Sequence, residues 1–334
     1  MEKVLKAGVL GMGNMGKAHA RSLMRMENVE LAALCSNPLK DAEEFARENG
    51  LACAVFENGF QMIEEAELDI LYICLPPFAH TGQLEAAAEK GIHVFIEKPI
   101  ALNVERGRSM VQAAEKNDII TQVGYHMRFG SAVKKFKKYQ EDGTAGKTTL
   151  YMADYECNSL HGPWWRDVTK CGGQVFEQVI HLYDMSLYLM GPANSVNGYV
   201  ANLCHNDVEG YTIEDTSVCN IRFENGALGS ICGSNCSVKN QWNGKFRVIC
   251  EHMVADFTDH NHAVFTFTQE ETPRIEEISE EVDVTYEEDC DFIQKVRLHQ
   301  KSVADIREGL CGLELVSAVV DSSLSEGCTI VIEN

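Results

Sequence analysis

Strand-like and helix-like segments alternate through the first 125 residues, and this alternation constrains the fold more than any other feature. Short apolar runs at 6–10, 29–35, 52–56, 70–75, 92–96 and 119–123 alternate with helix-like segments, which include 15–26, 41–49, 80–90 and 104–117. Neighbouring parallel strands need a long crossover, which is usually a helix. The alternation therefore predicts an α/β domain, a doubly wound parallel sheet with helices on both faces.

The pattern changes after Gly124. Strand-like runs now follow one another at hairpin-length spacing, with a helix predicted near 131–140. This predicts an α+β domain with a large, mostly antiparallel open sheet. We expect domains at 1–124 and 125–334, the second for substrate binding and oligomerisation. Residues 269–289 carry ten acids and one arginine and are interpreted as an exposed edge or hairpin. A C-terminal helix over 309–325 is expected to pack back on the first domain.

The charge balance excludes two classes of partner. Fifty acidic residues against 29 basic ones give a formal charge of −21. Such a chain repels phosphate backbones and anionic lipid surfaces, so neither nucleic acid nor a membrane is an expected partner. No apolar run reaches the roughly 18 residues of a membrane span, and the N-terminus lacks a signal-peptide pattern. The expected location is the cytoplasm.

The cysteines indicate neither a disulfide framework nor a metal site. There are 13 of them, an odd number without paired spacing. Such cysteines behave as reduced, mostly buried small hydrophobic residues. We therefore expect no bound metal.

The segment "GVLGMGNMGKAHA" places Gly11, Gly13 and Gly16 between a strand and a helix. The glycines allow a tight turn and close approach of a pyrophosphate to the helix N-terminus. This context predicts dinucleotide binding, with Asn14 and Met15 as further contacts. At the end of the second strand, Ser36 replaces the acid that usually grips the ribose of NAD, followed by Asn37 and Lys40. NAD and NADP both stay open, with a lean to NADP because Lys40 could contact a 2′-phosphate.

Two further segments follow predicted strands at the edge where ligands of open α/β sheets bind. They are "LPPFAH" and "EKP". Their candidate cofactor contacts are Leu75, Pro76, His80, Glu97 and Lys98. A lysine at such a strand end can also polarise a substrate oxygen, although a surface lysine at a turn is the alternative.

The segment "CGGQVFEQVIHLYDM" puts Glu177, His181 and Asp184 at i, i+4 and i+7, on one stripe of a helix. A carboxylate, an imidazole and a second carboxylate together suit proton transfer. The alternative is a solvated helix face. Nearby, "HGPWWRD" supplies Trp164 and Trp165, either as carbohydrate-stacking rings or as buried loop anchors.

These motifs occur together in the order and spacing of one family. With "VGYHMRF" and the C-terminal "LELVSAVVDSSLSEGCTIVI", the chain resembles the glucose-fructose oxidoreductase / inositol dehydrogenase (Gfo/Idh/MocA) family over nearly its full length. The resemblance implies a Rossmann domain followed by an α+β domain, and a nicotinamide cofactor.

The resemblance also implies roles for particular residues. Lys98 matches a lysine that contacts the reacting hydroxyl, and His181 matches the usual proton acceptor. Glu177 stands where many members carry aspartate, while Asp184 and Arg128 match a family acid and arginine. The catalytic candidates are thus Lys98, His181 and Glu177. The substrate-binding candidates are Lys98, His126, Arg128, Trp164, Trp165, Glu177, His181 and Asp184.

The resulting hypothesis is an NAD(P)-dependent dehydrogenase or reductase. It would move a hydride between the cofactor and a secondary hydroxyl of a sugar, an inositol-like polyol or a glycoside. One alternative is an NAD-dependent, redox-neutral glycosidase or lyase on the same fold, and another is a cofactor-binding regulator without chemistry. A homodimer or homotetramer is expected through the open sheet.

Overall fold

The computed structural model describes residues 3–269 and 271–332, which form two compact units. The first contains the described residues of Met1–Ala101, Glu105–Tyr125 and Asp283–Leu310. The second contains Leu102–Val104, His126–Val282 and the described residues of Cys311–Asn334. Residues 283–310 thus group with the N-terminal unit, whereas the expected boundary had assigned them to the second domain.

The first unit has a six-stranded parallel sheet in the order β3-β2-β1-β4-β5-β6, as the alternation predicted. Its strands are β1 (Leu5–Leu10), β2 (Val29–Cys35), β3 (Ala54–Phe56), β4 (Ile70–Ile73), β5 (His93–Ile96) and β6 (Thr121–Val123). Every residue of β4 is buried, which is typical of a strand covered on both faces.

The first unit's crossover helices are α1 (Asn14–Leu23), α2 (Lys40–Glu48), α3 (Gly59–Glu65), α4 (Gln83–Glu89) and α5 (Val104–Lys116). The predicted helix 15–26 ends early, at Leu23. The predicted helix 80–90 is present as α4, which begins at Gln83 and follows a 3₁₀ turn, Pro77–Ala79. Helix α3 was not predicted; Asn58 caps it by accepting from the N–H groups of Phe60 and Gln61.

The second unit has a nine-stranded sheet in the order β14-β13-β12-β11-β7-β10-β9-β8-β15. All its strand pairs are antiparallel except β10 with β7. The predicted mostly antiparallel sheet is therefore confirmed. Its elements up to β14 are a 3₁₀ turn (His126–Phe129), α6 (Ser131–Glu141), β7 (Thr148–Cys157), α7 (Val168–Cys171), a π-helical turn (Val175–Val179), α8 (Ile180–Met190), β8 (Ala193–Ala201), β9 (Thr216–Phe223), β10 (Leu228–Ser234), β11 (Trp242–Cys250), β12 (Met253–Phe257), β13 (His262–Phe267) and β14 (Arg274–Ser279).

The acidic segment 269–289 divides between two kinds of structure. Residue 270 lies outside the described residues. The central part is β14, at an edge of the sheet as predicted. From Val284 the chain instead forms α9 (Val284–Leu298), which is capped by Asp283 and packs Phe292 into the core beside α1. The sequence did not predict α9 because its first turns are rich in acids and its buried apolar residues lie farther along the chain.

The chain ends with α10 (Ile306–Leu324) and β15 (Ile330–Val331). The start of α10 lies in the first unit, where Gly309 packs on Val123 and Ile100, and the rest of the helix lies in the second. No helix within residues 3–269 and 271–332 combines the length and apolar content needed to cross a membrane.

Four ionisable side chains are buried together in the core of the first unit. His19 on α1 bonds to Asp289 (2.8 Å) and to Glu97 (3.0 Å), and Glu288 lies close to all three. Burial alone would lower the pKa of His19, but the charge of Asp289 and the hydrogen bonds of Asp289 and Glu97 outweigh it and raise that pKa. Burial raises the pKa of Glu288 well above its usual value, with Glu97 and Asp289 adding to the effect.

The substitution Glu288→Gln should stabilise the protein increasingly as pH rises. The folded state holds a proton on Glu288 that the unfolded chain loses above about pH 4.3, so stability falls with rising pH in that window. Glutamine removes this slope, which is about 1.4 kcal/mol per pH unit. Melting temperatures at pH 5 and pH 8 measure the effect, with exposed Glu89→Gln as control. An equal shift at both pH values would contradict the protonated state.

Candidate active site

The glycine turn of the first unit is held by close backbone packing. Gly11 has φ +97°, and a Cβ there would lie 2.5 Å from the Cys74 carbonyl oxygen. A Cβ on Gly16 would lie 1.8 Å from the Gly11 oxygen. No described atom lies within 4 Å of a Cβ built on Gly13, the N-cap of α1. The fold itself thus requires Gly11 and Gly16, whereas Gly13 leaves the open space that a pyrophosphate needs.

The end of β2 carries the candidate ribose contacts. Ser36 is buried, and its N–H donates to the Phe56 carbonyl oxygen. Asn37 is exposed and precedes Pro38 through a cis peptide. Lys40 is exposed and lies 3.4 Å from Glu44, one helical turn along α2. Lys40, the predicted contact of a 2′-phosphate, is therefore already close to a carboxylate.

The loops after β4 and β5 are joined by His80. Its Nδ1 lies 2.7 Å from the Ile100 oxygen and its Nε2 3.0 Å from the Leu75 oxygen. Burial lowers the pKa of His80. Both ring nitrogens face backbone carbonyls, so the ring fixes the loop that contains Leu75 and Pro76. The sequence had suggested a cofactor contact for His80, and this geometry favours a positioning role.

Glu97 supports the backbone of the "EKP" turn. It is 6% exposed, and its carboxylate accepts from the Lys98 N–H (3.2 Å) as well as bonding to His19. A Cβ on Gly124 would lie 2.8 Å from this carboxylate, so a glycine is needed there. The Lys98–Pro99 peptide is cis. His19 and Asp289 were not predicted, because their partners are distant in the sequence.

The first turn of the helix that carries Glu177 and His181 is bonded to Glu214, a carboxylate that the sequence did not indicate. Gly172 and Gly173 have φ values of +84° and +118°, and a Cβ on Gly173 would lie 2.4 Å from a Glu214 oxygen. Glu214 accepts from the Val175 N–H (2.7 Å), and burial raises its pKa to about 7. The glycine pair thus lets Glu214 reach the first turn of the helix.

The stripe itself is not a solvated face. Glu177 accepts from the Trp165 indole N–H (2.7 Å), within a π-helical turn of the kind often found at functional sites. His181 is 7% exposed and Asp184 is 1% exposed. The solvated-face alternative is therefore excluded for His181 and Asp184.

Asp184 forms a bidentate ion pair with Arg128. The Nη2 and Nε of Arg128 donate to the two Asp184 oxygens at 2.6 and 3.0 Å, and the guanidinium faces the Tyr188 ring at 4.6 Å. The pair ties the 3₁₀ turn His126–Phe129 to α8. The His126 ring lies 4.5 Å from the His181 ring, centroid to centroid.

The two tryptophans differ in their surroundings. Trp165 is 2% exposed and packs with Cys171, Tyr211 and Ile213, so it anchors the loop rather than presenting a stacking face. Trp164 is only partly buried beside that cluster. Half-exposed Trp242, whose ring lies 5.9 Å from that of His161, is an aromatic surface that sequence reasoning did not identify.

One group of potential metal ligands comes together among the described residues. The side chains of Cys204, Asp215 and Cys236 lie within 4.8 Å of one another. The Asp215 carboxylate already accepts from three backbone N–H groups and from the Thr216 hydroxyl, so its oxygens have donors throughout.

Breaking the Arg128–Asp184 pair should destabilise the protein strongly. Asp184→Asn leaves the guanidinium buried without its counter-charge, and such a loss costs about 3–5 kcal/mol. Chemical denaturation measures the change in the free energy of unfolding. The double variant Arg128→Met/Asp184→Leu should recover much of the loss, because no charge stays buried. A loss below about 1 kcal/mol, the level of an exposed pair, would show that water reaches the pair.

Comparison with known proteins places both parts of the chain in one family. Residues 5–125 match the "Oxidoreductase family, NAD-binding Rossmann fold", and residues 133–255 match the "GFO/IDH/MocA C-terminal domain". Scyllo-inositol 2-dehydrogenase (NAD(+)) of Bacillus subtilis is 30% identical over 71% of this chain and 69% of that protein. Myo-inositol 2-dehydrogenase of Thermotoga maritima is 28% identical over 70% of each chain.

A solved structure supports the fold over the whole length. Levoglucosan dehydrogenase in complex with NADH and levoglucosan superposes with a TM-score of 0.91 at 20% identity, covering 99% of this chain and 100% of that one. The two family matches and the inositol dehydrogenase relatives identify the chain as a member of the GFO/IDH/MocA family of oxidoreductases with an NAD-binding Rossmann fold.

Proposed function

We propose that this protein is a dehydrogenase that oxidises a secondary hydroxyl of a sugar, inositol-like polyol or glycoside. The observation that carries the proposal is the buried imidazole of His181 on a stripe whose two acids are both held in place. Oxidation of an alcohol needs a base for the hydroxyl proton, and a histidine meets that need near neutral pH. When bound, the nicotinamide cofactor accepts the hydride.

Each candidate catalytic residue has a distinct proposed role. His181 accepts the hydroxyl proton during oxidation and returns it during reduction. Lys98 stabilises the negative charge that develops on the substrate oxygen. Glu177, fixed by Trp165, orients His181 or binds a neighbouring hydroxyl. Asp184 and Arg128 are proposed to position the site, because each satisfies the other's charge.

The proposed cofactor is NAD. The open space over Gly13 suits a dinucleotide pyrophosphate. The sequence leaned toward NADP because of Lys40, but that lysine pairs with Glu44. A relative's name specifies NAD(+), and a structural neighbour was solved with NADH. Ser36 can bond a ribose hydroxyl directly.

The proposed substrate class is inferred from the substrates that the relatives' names specify. Their names specify scyllo-inositol, myo-inositol, and glucosides in the case of D-glucoside 3-dehydrogenase of Escherichia coli, 27% identical over 67% of this chain. All of these substrates carry ring hydroxyls. The redox-neutral glycosidase and the non-catalytic regulator are not favoured, since these relatives are dehydrogenases. We place the protein in the cytoplasm, where its 13 cysteines would remain reduced.

A second copy of the chain is the proposed partner of the open sheet face. Outward positions there include apolar side chains on paired strands, Tyr199 (57% exposed) opposite Val218 (48% exposed). Leu228 on β10 is 54% exposed. Such a face can pair with itself across a twofold axis.

Light scattering should give two or four times the chain mass, and Val218→Asp should lower this mass because a charge would be buried in the interface. A wild-type monomer would contradict the proposal.

The main test is reduction of the cofactor across a panel of inositols, sugars and glycosides, with NAD and NADP assayed separately. We expect NADH formation with at least one ring polyol. His181→Gln and Lys98→Met should each lower kcat by about 10²–10⁴, and His181→Gln should do so without weakening NADH binding. His252→Gln and Lys147→Met are the matched controls. Near-wild-type kcat in both site variants would contradict the assignment, and glycoside cleavage without NADH accumulation would favour the glycosidase.

A further inference from the structure

Three histidine rings form a row within the second unit. The ring centroids of His181 and His126 are 4.5 Å apart, and those of His126 and His260 are 5.8 Å apart. The three rings come from α8, the 3₁₀ turn and the turn between β12 and β13. His181 is buried, whereas His126 and His260 are partly exposed. The row therefore leads from the buried base toward solvent.

The outer turn is fixed in place by the start of α6. The Val133 N–H donates to the His260 carbonyl oxygen (3.3 Å), and a Cβ on Gly130 would lie 2.2 Å from that oxygen. The Ser131 N–H donates to the buried Asn261 side chain (3.1 Å). At the inner end, the Arg128–Asp184 pair holds the turn that carries His126 against α8. The backbone segments that carry the two outer imidazoles are thus held by contacts distant in sequence.

The proposed reaction requires a path for protons between His181 and solvent. Each oxidation removes a hydride and leaves one proton on His181, and that proton must leave before the next turnover. A neutral imidazole can accept a proton at one nitrogen and release one from the other. Ring centroids 4.5 and 5.8 Å apart leave the rings near enough for a bridging water to carry a proton between their nitrogens.

The outer end of the row lies among groups that can receive the proton. Asp259 and Glu281 act on His260 electrostatically, as does His262. His262 itself bonds to Asp259 at 2.8 Å and lies 3.4 Å from Glu281. Burial lowers the pKa of His260, so this ring passes a proton onward readily. Both carboxylates are well exposed to water.

We propose that His126 and His260 carry the proton of the reaction between His181 and solvent. In oxidation the proton moves from His181 to His126, then to His260, and then to water or to the neighbouring carboxylates. In reduction it moves the opposite way. The relay transfers no electrons and forms no covalent bond with the substrate. It rests on the proposed function, because it serves the base of that reaction.

The decisive variants are His260→Gln and His126→Asn, assayed with the best substrate of the panel in weak and strong buffer. In weak buffer kcat should fall about tenfold, with an increased solvent deuterium isotope effect. Added imidazole should restore kcat, because a small buffer can replace the missing ring. For His260→Gln the KM and the NADH affinity should stay within about twofold of wild type, and His252→Gln should change nothing.

The outcomes separate the relay from the function on which it depends. If the wild-type protein reduces no cofactor, the proposed function fails. If the wild type is active but His260→Gln keeps full kcat and an unchanged isotope effect in weak buffer, the relay is wrong and the function stands. A rise in KM for His126→Asn without imidazole rescue would make His126 a substrate ligand instead. Should His126→Asn fail to fold, His260→Gln alone decides.

Discussion

The buried ion pair between Arg128 and Asp184 is the contact on which the second unit's site depends. Each side chain is 1% exposed, so neither charge can lose its partner without a large cost in free energy. The pair fastens the turn after Tyr125 to α8, and the His126 ring lies beside the His181 ring as a result. The three polar residues of the stripe thereby have three different sets of contacts.

The start of the same helix has its own constraint. Gly172 and Gly173 adopt positive φ and leave no room for a Cβ, which admits the Glu214 carboxylate to the first turn. Trp165 then fixes Glu177 from the other side. One acid is bonded to an indole and the other is paired with a guanidinium, which supports the proposal that His181 exchanges the proton. These contacts, made by residues distant in the sequence, distinguish a proton-transfer site from a solvated helix face.

The first unit was predicted more completely than the second. Alternating apolar runs predicted every strand of its sheet, and Gly11, Gly13 and Gly16 lie between β1 and α1 as expected. The same pattern missed α9, because ten acids before residue 290 suggested an edge. It also missed the His19–Asp289 bond, which joins α1 to α9 across 270 residues of sequence. No local period encodes such a contact.

The sequence by itself determined the fold class, the cofactor-binding turn and the family, because these follow from local periodicity and from motifs of a few residues. It also placed Lys98 and His181 among the candidates. Only the tertiary structure decided which of the polar candidates are held by buried partners. Trp165 is an anchor, Asp184 is an ion-pair partner, and the His126 ring neighbours both His181 and His260, since burial and distance are set by chain segments that meet only on folding.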